Sequence, residues 1–203
     1  MRSMLEVTAT QLAKGVRAVD YKAPRTGSPD PPAFLVMPTT VGRKAVRIFH
    51  EEGCRPARSY LTGKFATWLS HTNPSMRGNA TNTIQALDTY IRADELDGRA
   101  FVGRGEKVTV GLLSGTITAR VDVVMTGNKE LSGRAIFWDG QPISVNQAHV
   151  IAYPYAEALQ RMYPSETISD ICVWQVRRGT LHTVSMSDAL ARAAEADEVL
   201  ARL

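Results

Sequence analysis

The sequence predicts an α+β fold: a mixed central sheet with an antiparallel meander, flanked by helices, in one domain of 203 residues. Two observations predict it. Residues 1–98 carry helical spacing and helix caps, and the period shifts towards two immediately after Gly98. Beyond that point three β-like stretches are followed by a helical run, two more strands and a last helix. The chain then divides into a basic helical lead-in (1–98), a core sheet with its helix (99–185) and a C-terminal helix (186–203).

Taken in order, Thr8-Ala-Thr-Gln11 has capping-box spacing and opens a helix to about Val19. Residues 20–32 form a proline-rich loop, and 33–37 read as a short apolar strand. Thr39-Thr40 cap a helix to Glu52, with Gly53 at its stop. Residues 57–70 and about 82–96 give two more helices, the latter closed by Gly98. Strands are expected at 99–103, 107–113, 117–125 and 134–138, with turns at 113–116 and 126–133. A helix over 147–163 contains Pro154, which predicts a kink or a late start. Strands at 169–176 and 181–185 and a helix capped by Ser185-Met-Ser-Asp188 complete the chain.

Composition narrows the function. Hydrophobic residues make up 44% and charged residues 22%, as in an ordinary soluble globular protein. The net charge is +4, but residues 1–80 hold 12 Lys/Arg against 5 Asp/Glu, and the remainder is slightly acidic. That asymmetry suits a protein gripping a polyanion, or is merely a solvated surface. On the helix before Glu52, Arg43, Lys44 and Arg47 fall on one face at helical spacing. Such a face would meet phosphates rather than bases. Cys54 and Cys172 are too few for a four-thiolate site and read as free thiols. No run approaches about 18 apolar residues, so no membrane partner is expected. These features point to a cytoplasmic protein of a bacterium or a phage. Neither a Gly-x-x-x-x-Gly-Lys loop nor a Gly-x-Ser-x-Gly elbow is present.

The chemistry lies in the middle. Asp122 sits inside the apolar stretch 117–125, where an unpaired carboxylate is costly. A divalent metal would explain it; so would an edge position facing solvent, or pairing with Arg120 or Arg134. Asp139-Gly140 ends the next strand, as a second metal ligand or a hairpin turn. Glu106 and Gln141 lie close by in sequence, and Glu106 also fits a solvated turn.

Ala119-Arg-Val-Asp122, then Ala135-Ile-Phe-Trp-Asp139-Gly-Gln141, then a helix with Gln147, Tyr153 and Tyr155, resembles the PD-(D/E)XK nuclease superfamily, in particular its RecB-like exonuclease branch. That branch runs from a helical lead-in to an Asp-bearing strand, a turn, a strand ending Asp-x-Lys, and a helix carrying Gln and Tyr. Four departures stand out, one being a stretched spacing between Gln147 and the tyrosines. Gln141 replaces the lysine, Ala119 replaces the motif glycine, and the Gly42-x-x-x-His motif has Val46, with His50 one turn later. Asp20-Tyr-Lys22 spells Asp-x-Lys but lacks a preceding Asp-bearing strand.

The resemblance implies a restriction-endonuclease-like fold and a metal-dependent DNA nuclease. Asp122 and Asp139 would hold Mg²⁺ or Mn²⁺, Glu106 would assist, and Gln141 would position water without supplying charge. Arg43, Lys44, Arg47, Gln147 and Tyr155 would contact nucleic acid, although Gln147 and Tyr155 also suit packing. The alternative is the same fold with a broken site, acting as a nucleic-acid-binding or structural subunit. Protein partners, including a second copy, remain open.

Overall fold

A computed structural model describes residues 5–20, 33–138 and 141–203. Its elements form two sheets. Strands β1 (Leu5–Thr8), β3 (Val108–Gly111) and β4 (Gly115–Ala119) build the smaller one, in the order β1-β4-β3, with β1 parallel to β4. The larger sheet has the order β2-β5-β6-β7-β8, from β2 (Ala100–Gly103), β5 (Val123–Gly127), β6 (Glu130–Phe137), β7 (Ile168–Gln175) and β8 (Thr180–Ser185). Only the β6–β7 pair of this sheet is parallel, joined through helix α5 (Val145–Met162). Both strands are buried along nearly their whole length, as a parallel pair covered on two faces requires.

The larger sheet separates two cores. On one side lie α1 (Ala9–Asp20), α5, the smaller sheet and the C-terminal helices α6 (Met186–Leu190) and α7 (Ala193–Leu200). On the other lie α2 (Ala33–Glu52), α3 (Cys54–Leu69) and α4 (Pro74–Asp97), packed on Val123, Met125, Ile136, Trp138 and Trp174. The fold is therefore α+β with two mixed sheets.

Local chemistry accounts for several boundaries. Thr8 Oγ1 accepts from Gln11 N–H and Gln11 Oε1 accepts from Thr8 N–H, the reciprocal box expected at this start. Asn73 caps α4, Pro74 takes its first turn, and Gly98 closes it in the left-handed region at φ 68°. Asn128 and Lys129, at φ 53° and 66°, form a two-residue hairpin turn between β5 and β6, tighter than the eight-residue turn expected.

Four expectations need correction. Residues 33–37 belong to α2, because a short apolar run has no period of its own and here continues a helix. Helix α4 starts eight residues early, once Asn73 and Pro74 provide a cap. Helix α5 runs from Val145, so of the two readings of Pro154, a kink or a late start, the late start does not hold. The last helix is broken into α6 and α7.

A fifth difference concerns the middle of the chain. Residues 117–125 are not one strand. They split into β4, in the smaller sheet, and β5, in the larger, and the chain crosses between sheets at 120–122.

Candidate functional site

The crossing at 120–122 opens a recess of about 480 Å³ between α2, the start of α1 and the ends of β4 and β5. Six cationic side chains line it: Arg43, Lys44 and Arg47 from α2, Arg104 and Lys107 from the β2–β3 connection, and Arg120. Among the described residues Asp122 is the one carboxylate in its lining. Hydroxyl groups complete the walls at Thr8, Thr10, Thr40 and Thr118. The alternation Thr118-Ala-Arg-Val-Asp-Val123 explains how the cluster forms. Thr118, Arg120 and Asp122 are partly exposed to the recess, while Ala119, Val121 and Val123 are buried.

Asp122 is held by its neighbours. Its Oδ2 accepts the Ile136 N–H at 2.8 Å and lies 3.4 Å from Arg43 Nη2. Arg43 Nε in turn donates to the Ile136 carbonyl at 2.9 Å, so one residue of β6 fixes both members of the pair. Burial pushes the Asp122 carboxyl above its usual range, against the opposing pull of Arg43, the Ile136 N–H, Arg104 and Arg120. Tyr155, 2% exposed, is also hydrogen-bonded to Arg43. Burial raises its phenol far above the ordinary value. Tyr155 thus braces Arg43 from beneath instead of presenting a ring to a ligand. Gly42, one residue before Arg43, brings α2 against the Trp138 indole: a Cβ there would lie 2.5 Å from the ring. Close packing at Gly42 sets how deep Arg43 sits.

The partner of Asp122 is Arg43, not Arg120 or Arg134. Arg134 is 2% exposed and turned to α4, where it pairs with Asp94 and Asp97 and donates to Tyr90 Oη at 3.0 Å. His50 Nε2 lies 2.8 Å from the same Tyr90 oxygen, and its ring stacks on Phe101 at 5.1 Å. The His50 pKa falls to about 4, first through burial and then through Arg134. The Asp94 oxygen 3.9 Å from His50 is engaged by Arg134 and does not hold a proton on the ring.

The other expected site residues separate. Glu106 is exposed and does not line the recess; its N–H meets Met162 Sδ at 3.3 Å, at the far end of α5. Gln141 is exposed, and its carbonyl accepts from the Gln175 side-chain amide. Gln147 is occupied locally: its Oε1 accepts Ser144 N–H at 2.8 Å, and Ser144 Oγ accepts Gln147 N–H at 3.3 Å. Asp139 lies outside the described residues, as do Gly140 and Asp20-Tyr-Lys22 apart from the backbone of Asp20. The β5–β6 register sets Val123 opposite Arg134. Of the basic face on α2, all three members reach the recess.

A Mg²⁺ or Mn²⁺ ion needs several oxygen ligands in one place. The described lining supplies one carboxylate, already shared between a guanidinium and a backbone N–H. Among the described residues no three His, Cys, Asp or Glu side chains converge. The described donors do not fit such an ion; they fit an anion. Arg104, Lys107 and Arg120 complete that anion site and had no motif to announce them. For Arg120 the signal was the polar–apolar alternation at 118–123; Arg104 and Lys107 lie outside it, on the β2–β3 connection.

No family model matches the sequence, and no curated protein matches it. Seventeen chains of solved structures match. One of these, the crystal structure of SSO0001, aligns with 94% of this chain and 85% of that chain at 10% identity, with a TM-score of 0.31. A likeness at that level identifies neither an activity nor a ligand. Among the described residues no helix is long and apolar enough to cross a membrane.

Proposed function

We propose that this chain binds nucleic acid through the phosphate backbone, using the recess between α2 and the β4–β5 crossing. The observation that carries this reading is the lining of six cations against one carboxylate. Guanidinium groups pair with phosphate oxygens in a planar fork, and threonine hydroxyls add further donors. Among the described residues no base-reading element accompanies them: the one aromatic ring in the described lining, Tyr155, is buried under Arg43. Binding is therefore sequence-tolerant and electrostatic.

A second reading is favoured by element order. The Asp122 crossing, the β5–β6 hairpin, α5 and the parallel strand β7 follow the sequence of parts in the PD-(D/E)XK plan. On that reading the fold is restriction-endonuclease-like and RecB-related, and Asp139 joins Asp122 at a Mg²⁺ or Mn²⁺ ion in a DNA nuclease.

One experiment separates the two. The protein is titrated into labelled single- and double-stranded DNA and RNA, followed by fluorescence anisotropy, with and without Mn²⁺, and the products are run on a denaturing gel. Saturable binding without metal and intact strands support the binding module. Strand cleavage that requires Mn²⁺ and is lost in Asp122→Ala and Asp139→Ala supports the nuclease. Failure to bind any of these nucleic acids removes both.

A further inference from the structure

The recess holds more positive charge than a passing strand would neutralise. A phosphodiester chain brings one negative charge per nucleotide, and about 480 Å³ lies in the range of pockets that enclose small ligands (~300–1,000 Å³) rather than duplexes. Of the six cations, Arg43 is paired with Asp122 and Arg47 with Glu51 at 3.4 Å. Among the described residues none of Arg104, Lys107 and Arg120 has a carboxylate within ion-pair distance. These cations crowd one another. Arg104 is pulled below its ordinary pKa by burial and then by the Arg120 charge, with Arg47 adding to it, against the opposing pull of Asp122 and Glu51. Arg120 Nε is buried without a hydrogen-bond partner among the described residues. A cluster of like charges held this close is relieved by an anion carrying several charges at one point.

We infer that the recess takes a multiply charged phosphate group: a terminal phosphomonoester at a strand end, or the polyphosphate of a free nucleotide. A phosphomonoester carries roughly −1.5 to −2 at neutral pH, against −1 for an internal phosphodiester. Such a group would sit among Arg104, Lys107 and Arg120. This inference rests on the nucleic-acid reading for its first source and stands apart from it for the second.

The test uses the full chain and five probes: an oligonucleotide with hydroxyl ends, the same strand 5′-phosphorylated, the same strand 3′-phosphorylated, and inorganic pyrophosphate and ATP as competitors. A tenfold or greater gain from either terminal phosphate, reduced in Arg104→Gln/Arg120→Gln, assigns the site to a strand end. Displacement by pyrophosphate and ATP at micromolar concentrations, with no gain from end phosphorylation, assigns it to free nucleotides and supports the inference equally. Equal affinity for all three strands, with no competition below millimolar pyrophosphate, overturns the inference and leaves the backbone-binding reading intact. Pyrophosphate binding without binding of any strand keeps the inference and removes that reading.

Discussion

Replacing Asp122 with Asn should tighten nucleic-acid binding. In the native protein Asp122 lies 3.4 Å from Arg43 Nη2 and opposes a phosphate that approaches the same guanidinium. Asparagine keeps an oxygen for the Ile136 N–H and removes the charge. For a phosphate about 7 Å from the carboxylate, the repulsion is about 0.6 kcal/mol in bulk water and about 2.4 kcal/mol at the effective dielectric of a protein surface. That corresponds to roughly a 3- to 50-fold gain in affinity. Burial raises the Asp122 pKa and salt screens the charge, so the lower part of the range is expected near neutral pH and about 0.1 M salt. The assay is anisotropy of a labelled single strand, with circular dichroism and melting as controls for folding. Unchanged or weaker binding by a fully folded Asp122→Asn protein would refute the reasoning, because the carboxylate would then be serving the ligand instead of opposing it.

Three further outcomes concern stability. His50 has a folded pKa of about 4 against 6.5 unfolded, so the unfolded chain takes up a proton first as the pH drops. The His50 contribution is complete above pH 6.5 and is lost between about pH 6.5 and 4, by up to ~3 kcal/mol; urea melts across that window should show a shallower fall in His50→Gln. Gly42→Ala drives a Cβ into the Trp138 indole and should cost about 1–3 kcal/mol or more by the same measurement, with weaker strand binding as Arg43 shifts. Lys129→Gly relieves a left-handed residue at φ 66° in the β5–β6 turn and should stabilise by about 0.5–1 kcal/mol.

Features governed by nearest neighbours were legible in the sequence. The Thr8/Gln11 box, Gly98 at the end of α4 and the basic face Arg43, Lys44 and Arg47 all depend on contacts within a few residues, and all are present. Features governed by tertiary packing were not. The apolar run 117–125 satisfies the pattern of one strand, yet the chain serves two sheets, and nothing local marks Arg120–Asp122 as the crossing. The partner of Asp122 comes from 79 positions earlier in the chain, so adjacency in sequence pointed to Arg120 and Arg134 instead of Arg43. Gln147 shows the reverse case: its spacing fits a nuclease helix and a capping box equally well, and its hydrogen bonds serve the box.

The most direct test of the recess as a phosphate site is the salt dependence of strand binding in the wild type and in Arg104→Gln/Lys107→Gln/Arg120→Gln. On this account log Kd rises linearly with log salt concentration, and the triple variant has a shallower slope by about 0.7 for each phosphate contact it loses on a single strand. Parallel slopes for two well-folded proteins would contradict it and place the nucleic acid, if bound, elsewhere on the molecule.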